Sequence, residues 1–365
     1  NLTEERDAVW NGALKKFGAA WGLEEPAAFS TNGLNGWSAA IKGKTNSQVL
    51  RVARAGDWTL AGWTDADSSF WSNHVKTATS EKRPAPALTS AWFKAEMDLT
   101  QFRFWEPWLS EYKLSRILVE FVGREERVKL SATIRTSEGR DWKSDEWKLP
   151  LDTVREPLNS FTVARSVRPL MKSTPEIRLL SPPSYPDQIV GWSQAGAPYQ
   201  SYFAVPYANP SNAIFDVVMK LPAAITNDGR RLAGDLRYNT NRGEVVWGPL
   251  PFMAPSLTPI HESNGDFVLG GLLPVGGRTN PPPRELLREI NNRPELIYYD
   301  WELTGRRLGA WRRIYVIGYA VFFRKPFDPQ APTSKFLDAI VPKLGNTITE
   351  MVVKSPTELS LTRRG

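Results

Sequence analysis

Cysteine is absent from all 365 residues, which excludes disulfides, thiol nucleophiles and cysteine-ligated zinc. Histidine is nearly absent. His74 and His261 are the only two, too far apart in the chain to suggest a histidine-rich metal site. Long apolar runs are missing as well: the longest, Ile314 to Phe323, is about half of the ~20 residues a spanning helix needs. No signal peptide or low-complexity segment stands out. The chain opens on Asn1 instead of Met, so the expectation is a mature or truncated piece of a longer product.

Charge of one sign is not concentrated anywhere. Lys and Arg number 46 against 39 Asp and Glu, a net charge of +7, which mildly favours anionic partners. The basic residues are scattered among acids, however, as on an ordinary solvated surface, so a nucleic-acid partner is not expected. What the chain has in quantity is aromatic residues: 15 Trp, 16 Phe and 10 Tyr. Each ring buries a large apolar area, so most should be core, and a minority at the surface would form a binding face.

Internal repetition is the strongest pattern. Gly56-Asp57-Trp58-Thr59-Leu60-Ala61-Gly62 returns as Gly265-Asp266-Phe267-Val268-Leu269-Gly270-Gly271. At a similar offset, Glu96-Met97-Asp98-Leu99-Thr100 returns as Asp300-Trp301-Glu302-Leu303-Thr304. Each copy opens on an amphipathic helix. Trp10, Leu14, Phe17 and Trp21 make the stripe in one; Ile214, Val217, Leu221 and Ile225 make it in the other, after Asn209-Pro210, with Pro222 arguing for an early end. Strands at Trp37 to Lys42 and Glu244 to Trp247 come next, then the Gly-Asp-aromatic strands. Helices follow near Asp65 to Thr77 and Pro283 to Asn291. Third helices carry Phe104, Trp108 and Tyr112 or Leu308, Trp311 and Tyr315. Each copy closes on a hairpin: Ile117 to Val122 turning into Val128, Leu130, Ala132 and Ile134, and Ile348 to Val353 turning through Ser355-Pro356 into Leu359 and Leu361.

The expected fold class is therefore α+β, two repeated modules, each a mainly antiparallel β-sheet with helices packed on one face. Residues 1–150 make the first module, 151–205 a connecting segment and 206–365 the second. The connecting segment reads as a helix at Ser160 to Met171, an extended Pro182-Pro183-Pro186 loop, and an aromatic strand region. Trp192, Tyr199, Tyr202 and Tyr207 of that region are the candidate binding residues.

Catalytic patterns are weak. Glu96 with Asp98, and Asp300 with Glu302, share a strand face and could be a glycosidase acid pair. Their equivalent places in a repeat favour ordinary acids facing water while Met97 and Trp301 face inward. Gly191-Trp192-Ser193-Gln194-Ala195 loosely follows a nucleophile elbow, with Asp216 and His261 in hydrolase order, but Ala195 stands where Gly is needed and Pro198 blocks the helix. Gly270, Gly271, Gly276 and Gly277 lack phosphate-loop spacing and read as a mobile loop. His74 reads as a semi-buried helix residue, and Asp57 and Asp266 as acids bonding turn backbone. Arg306, Arg307, Arg312 and Arg313 beside Trp311 could meet phosphate, yet the first copy has no such cluster.

The run Tyr298 to Thr304, the Gly-Asp-aromatic strand and Glu358-Leu359-Ser360-Leu361-Thr362 resemble a group of uncharacterised bacterial proteins with duplicated, exported domains of unknown function. The resemblance covers mainly the C-terminal half. It implies an extracytoplasmic setting, in the periplasm or at the cell surface, and carries over no functional residue. The expected function is a non-enzymatic, envelope-associated binding or structural protein with no cofactor and no metal. Its partner would be a protein or envelope component. The alternative is a carbohydrate-binding or glycoside-hydrolysing protein using surface Trp and the paired carboxylates, and a membrane-surface role is a third option.

Overall fold

The computed structural model describes residues 23–31, 34–40, 48–55, 58–65, 91–101, 111–124, 127–142, 145–174, 177–178, 184–194, 200–226, 234–248, 253–273, 280–323, 328–330 and 332–365, with residues 12 and 16 besides. It divides into two compact units, Asn1–Thr89 and Ser90–Gly365. The expected helices around Trp10 to Trp21, Asp65 to Thr77 and Phe104 to Trp108 fall mostly or wholly outside the described residues.

The first unit is a four-stranded antiparallel meander of β1 (Ala27–Thr31), β2 (Leu34–Ala40), β3 (Gln48–Ala55) and β4 (Trp58–Asp65). Val52 and Ala53 of β3 are buried in it.

The second unit is dominated by one sheet. Its strands are β5 (Ala91–Asp98), β6 (Leu114–Arg124), β7 (Arg127–Thr136), β8 (Leu158–Arg165), β9 (Gln188–Gln194) and β10 (Ser201–Pro206). After them come β11 (Asp235–Asn239), β12 (Glu244–Gly248), β13 (Ser256–Glu262), β14 (Gly265–Gly271), β15 (Leu296–Leu303), β16 (Asn346–Ser355) and β17 (Glu358–Arg364). The sheet has 13 strands in the order β11-β12-β13-β14-β10-β9-β8-β15-β16-β17-β7-β6-β5. Every neighbouring pair is antiparallel.

This corrects the expected α+β class of two sheets with helices on one face of each. The described residues are mainly strand. Helices are few among them: α1 (Arg168–Ser173), α2 (Pro210–Thr226), α3 (Arg284–Asn291), α4 (Thr304–Phe323) and α5 (Pro332–Ile340). They contribute local patches and no continuous layer.

The physical reason lies in residues 151–205. The expected helix at Ser160 to Met171 is largely strand β8, followed by the short α1. Phe161, Ala164, Val167 and Met171 do fall at helical spacing, but Phe161, Val163 and Arg165 alternate, and all three are buried. The β-branched Thr162 and Val163 fit a pleated surface better than a helix. Strands β8, β9 and β10 thus fill the space between β14 and β15 and join the hairpins into one sheet. The other seam is β17 against β7, where Leu361 faces Ala132.

Hairpins read from period-two alternation form as expected. In β7, Ala132, Ile134 and Thr136 are buried while Thr133 and Arg135 are not. The main core gathers Phe161, Val163, Val190, Phe267, Leu269 and Leu296 from the sheet with Leu287 and Ile290 of α3 and Trp147, Leu149 and Val154 of the chain before β8. Removing each such side chain from water stabilises the fold by roughly 1.5–3 kcal/mol.

Candidate functional site

Helix α2 packs on the far end of the sheet. Pro210 fits the first helical position, where its missing N–H is not needed, and Ile214, fully buried, meets Val245 and Val268. The helix runs past Pro222 to Thr226, contrary to the early end expected; its apolar stripe against the sheet outweighs the one lost backbone bond. Further along that stripe, Val217, Val218 and Leu221 face a cavity of about 370 Å³. Its other walls are Tyr202 and Phe203 of β10, Leu236 of β11, Val245 and Trp247 of β12, Leu257 of β13 and Leu272 after β14. That volume lies within the range of about 300–1,000 Å³ usual for small-molecule sites. Among the described residues, no carboxylate, amine, guanidinium or imidazole lines it. Ser201 and Ser256 bring hydroxyls, and burial pushes the Tyr202 phenol above its ordinary range.

Two glycines shape this wall. Gly271 lies opposite Tyr202, and Gly270 opposite Phe203. A Cβ on Gly271 would come within 2.6 Å of Tyr202 Cδ1, so the rings lie over bare backbone, as aromatic residues do across from strand glycines. Gly270 and Gly271 therefore belong to a strand, not to the mobile loop expected; Gly276 and Gly277 lie outside the described residues.

A second cluster sits under α4. On β15, Tyr298, Asp300 and Glu302 alternate onto one face. Asp300 and Glu302 are 5% and 7% exposed, so the expected water-facing acids are in fact buried. The cause is distant in sequence. Arg307, one turn into α4, folds back to lie 2.7 Å from Glu302 and 3.6 Å from Asp300. Arg363 of β17 reaches Glu302 at 2.9 Å and donates to Thr349 Oγ1 at 3.0 Å. Thr162 donates to Asp300 at 2.5 Å, and Thr304 to Glu302 at 3.0 Å. Burial pushes Glu302 upward, but Arg307 and the hydrogen bonds from Thr304, Arg363 and Arg307 outweigh it and hold the carboxyl below its ordinary range. Tyr298, half-buried and beside Asp300, is pushed up to about 12 by its partial burial and then by that carboxylate. The acids are neutralised anchors, with no free pair for acid–base work. Glu96 and Asp98 of β5, by contrast, are exposed.

The Glu302 shift fixes a pH dependence. A carboxyl depressed in the folded state stabilises above its unfolded value near 4.5 and loses that contribution as pH falls through the folded value. Glu302→Gln should therefore lower stability at neutral pH and flatten the loss below about pH 4.5, as read by urea denaturation at a series of pH values. The solvent reached by Arg307 and Arg363 tempers the size of the effect.

The sequence-derived binding residues scatter. Trp192, 3% exposed, lies in the core beside Tyr202, ring centroids 5.6 Å apart. Among the described ones, only Tyr202 lines the cavity. Tyr207 donates to the Ser184 carbonyl at 3.0 Å, and Tyr199 lies outside the described residues. Phe203, Leu236, Trp247 and Leu257 were missed, because a strand residue facing a cavity looks the same in sequence as one facing a core; the same holds for Val218 on helix α2.

The nucleophile-elbow pattern dissolves as well. Ser193 lies within β9 and shares a hydrogen bond with Ser160 at 2.8 Å, while His261 Nδ1 meets Asp266 at 2.7 Å at the surface. Asp266 thus bonds a side chain where a turn amide was expected, and His74 and Asp57 lie outside the described residues. Of the four arginines near α4, Arg307 turns inward and Arg312 pairs with Asp338. Leu308, Trp311 and Tyr315 of that helix are exposed. Among the described residues, no group of three or more His, Cys, Asp or Glu could hold a metal, and no helix is long and apolar enough to cross a membrane. No protein-family model matches the chain, and neither the curated proteins nor the solved structures give a match.

Proposed function

We propose that the chain is a non-enzymatic binding protein that holds an uncharged apolar group, such as a lipid acyl chain, between α2 and strands β10 to β14. The cavity walled by Val217, Leu221, Phe203, Trp247 and Leu257 carries this reading, because such a lining rewards removal of apolar surface from water and offers nothing to a charged ligand. The likeness of the C-terminal strands to exported bacterial proteins supports an envelope setting. Against the sugar alternative stand the burial of Trp192 and the ion pairing of Asp300 and Glu302, which withdraw that ring and one of the two acid pairs from solvent.

The test is binding of N-phenyl-1-naphthylamine followed by fluorescence, with laurate as competitor. The wild type should bind the dye saturably and release it to laurate. Val217→Trp, which places an indole in the cavity, should weaken binding roughly tenfold or more while thermal unfolding stays close to wild type. Equal dye binding by the two proteins would remove the cavity as the site.

A further inference from the structure

Strand β5 forms one end of the 13-stranded sheet among the described residues, and a long strand with an unpaired edge invites another strand. Its relation to β15 indicates how that edge is used. The β5–β6 pairing slips between Ala91 and Phe93, and the β15–β16 pairing slips between Leu296 and Tyr298. The two strands share a bulge at the same place against the same kind of neighbour. On its other edge β15 carries β8, antiparallel. The corresponding edge of β5 carries no described strand.

We propose that this edge pairs with β5 of a second copy of the chain, antiparallel about Ala95. The sequence Phe93-Lys94-Ala95-Glu96-Met97 complements itself in that register. Lys94 of one copy lies opposite Glu96 of the other, Phe93 opposite Met97, and Ala95 opposite itself. Directly opposed residues share a face of the sheet, so charges meet charges and apolar groups meet apolar groups. An edge lysine ordinarily repels a further strand; here the incoming strand presents a carboxylate to it.

The neighbours on β6 extend the match. Lys94 lies 2.9 Å from Glu120, and Arg116 lies 2.9 Å from Glu96. Pairing would line up Glu120, Lys94 and then Glu96 of the second copy, with Arg116 of that copy diagonal to Glu96, so that charges alternate in sign across the joint. Lys94 and Glu96 are 57% and 56% exposed in their side chains, and Phe93 and Met97 are 47% and 37% exposed. A sulfur against an aromatic ring is a favourable contact for the last two.

Sedimentation or light scattering over the micromolar range tests the pairing. The wild type should show a concentration-dependent dimer. Lys94→Glu and Glu96→Lys should each weaken self-association roughly tenfold or more, because both symmetric pairs become like-charged. An equimolar mixture of the two variants should regain the dimer as a heterodimer, since the strand with two acids then faces the strand with two lysines. A monomeric wild type overturns the proposal, as does a single variant that still dimerises or a mixture that stays monomeric.

Discussion

Replacing Phe267 with alanine is expected to destabilise the second unit by about 3–5 kcal/mol, the largest loss anticipated for a single side chain. Phe267 is fully buried in β14, opposite Ile260 on one side and Pro206 on the other. Its ring packs into the main core with Phe161, Leu269 and Leu287. Truncation removes the transfer free energy of the ring and leaves a cavity that strands paired on both sides cannot close. Urea denaturation should show a lower midpoint with an unchanged slope. A loss under about 1 kcal/mol would mean that the core around β14 is loose enough to collapse.

The second large effect is expected at Arg165, 6% exposed. Its guanidinium is held by backbone carbonyls. Nε donates to Leu296 at 2.7 Å, the terminal nitrogens donate to Asp145 at 3.3 Å and to Pro294, and Trp147 stacks at 4.6 Å from the guanidinium carbon. Burial pulls its pKa below the ordinary arginine range. The side chain thus ties the turn before β15 to β8. Arg165→Met keeps much of the apolar stem but leaves those carbonyls without donors, each costing roughly 1–3 kcal/mol, while relief of a buried charge offsets part of the loss. The net expectation is a loss of about 3 kcal/mol. Arg165→Lys should recover only part of it, since an ammonium cannot span the same set of carbonyls. If Arg165→Met matches the wild type in urea, the carbonyls have found water and the tie is not structural.

Local elements were legible where one periodicity stood alone. The hairpins β6–β7 and β16–β17, and helices α3 and α4, follow directly from spacing and turn residues. Strand β8 was not, because Phe161, Val163 and Arg165 fit strand alternation while Phe161, Ala164, Val167 and Met171 fit helical spacing, and only the neighbours choose between them. Nor could local pattern show Leu361 beside Ala132, a pairing of residues far apart in sequence. The acid pairs misled for a related reason. Aligned on their shared bulge, β5 and β15 place Ala95 and Met97 where Asp300 and Glu302 stand, so the matched acids sit one residue out of step. Burial of the second pair depends on Arg307 and Arg363, which nothing within the motif announces. At the cavity, Val217 and Leu221 were recognised as part of an apolar stripe, but that stripe meets tight packing at Ile214 and open space one turn later.

The position of β17 bears on how the chain reaches this state. It is made after every other described strand, yet it lies inside the sheet, flanked by β16 and β7. A ribosome releases chains N-terminus first, so β5, β6 and β7 must wait, with the flank of β7 uncovered, until the final strand arrives to bridge them to the rest. Contacts of such sequence separation form slowly. Assembly of this protein is therefore expected to finish only after synthesis has delivered β17, and during that interval a chaperone able to shield the waiting flank would raise the yield.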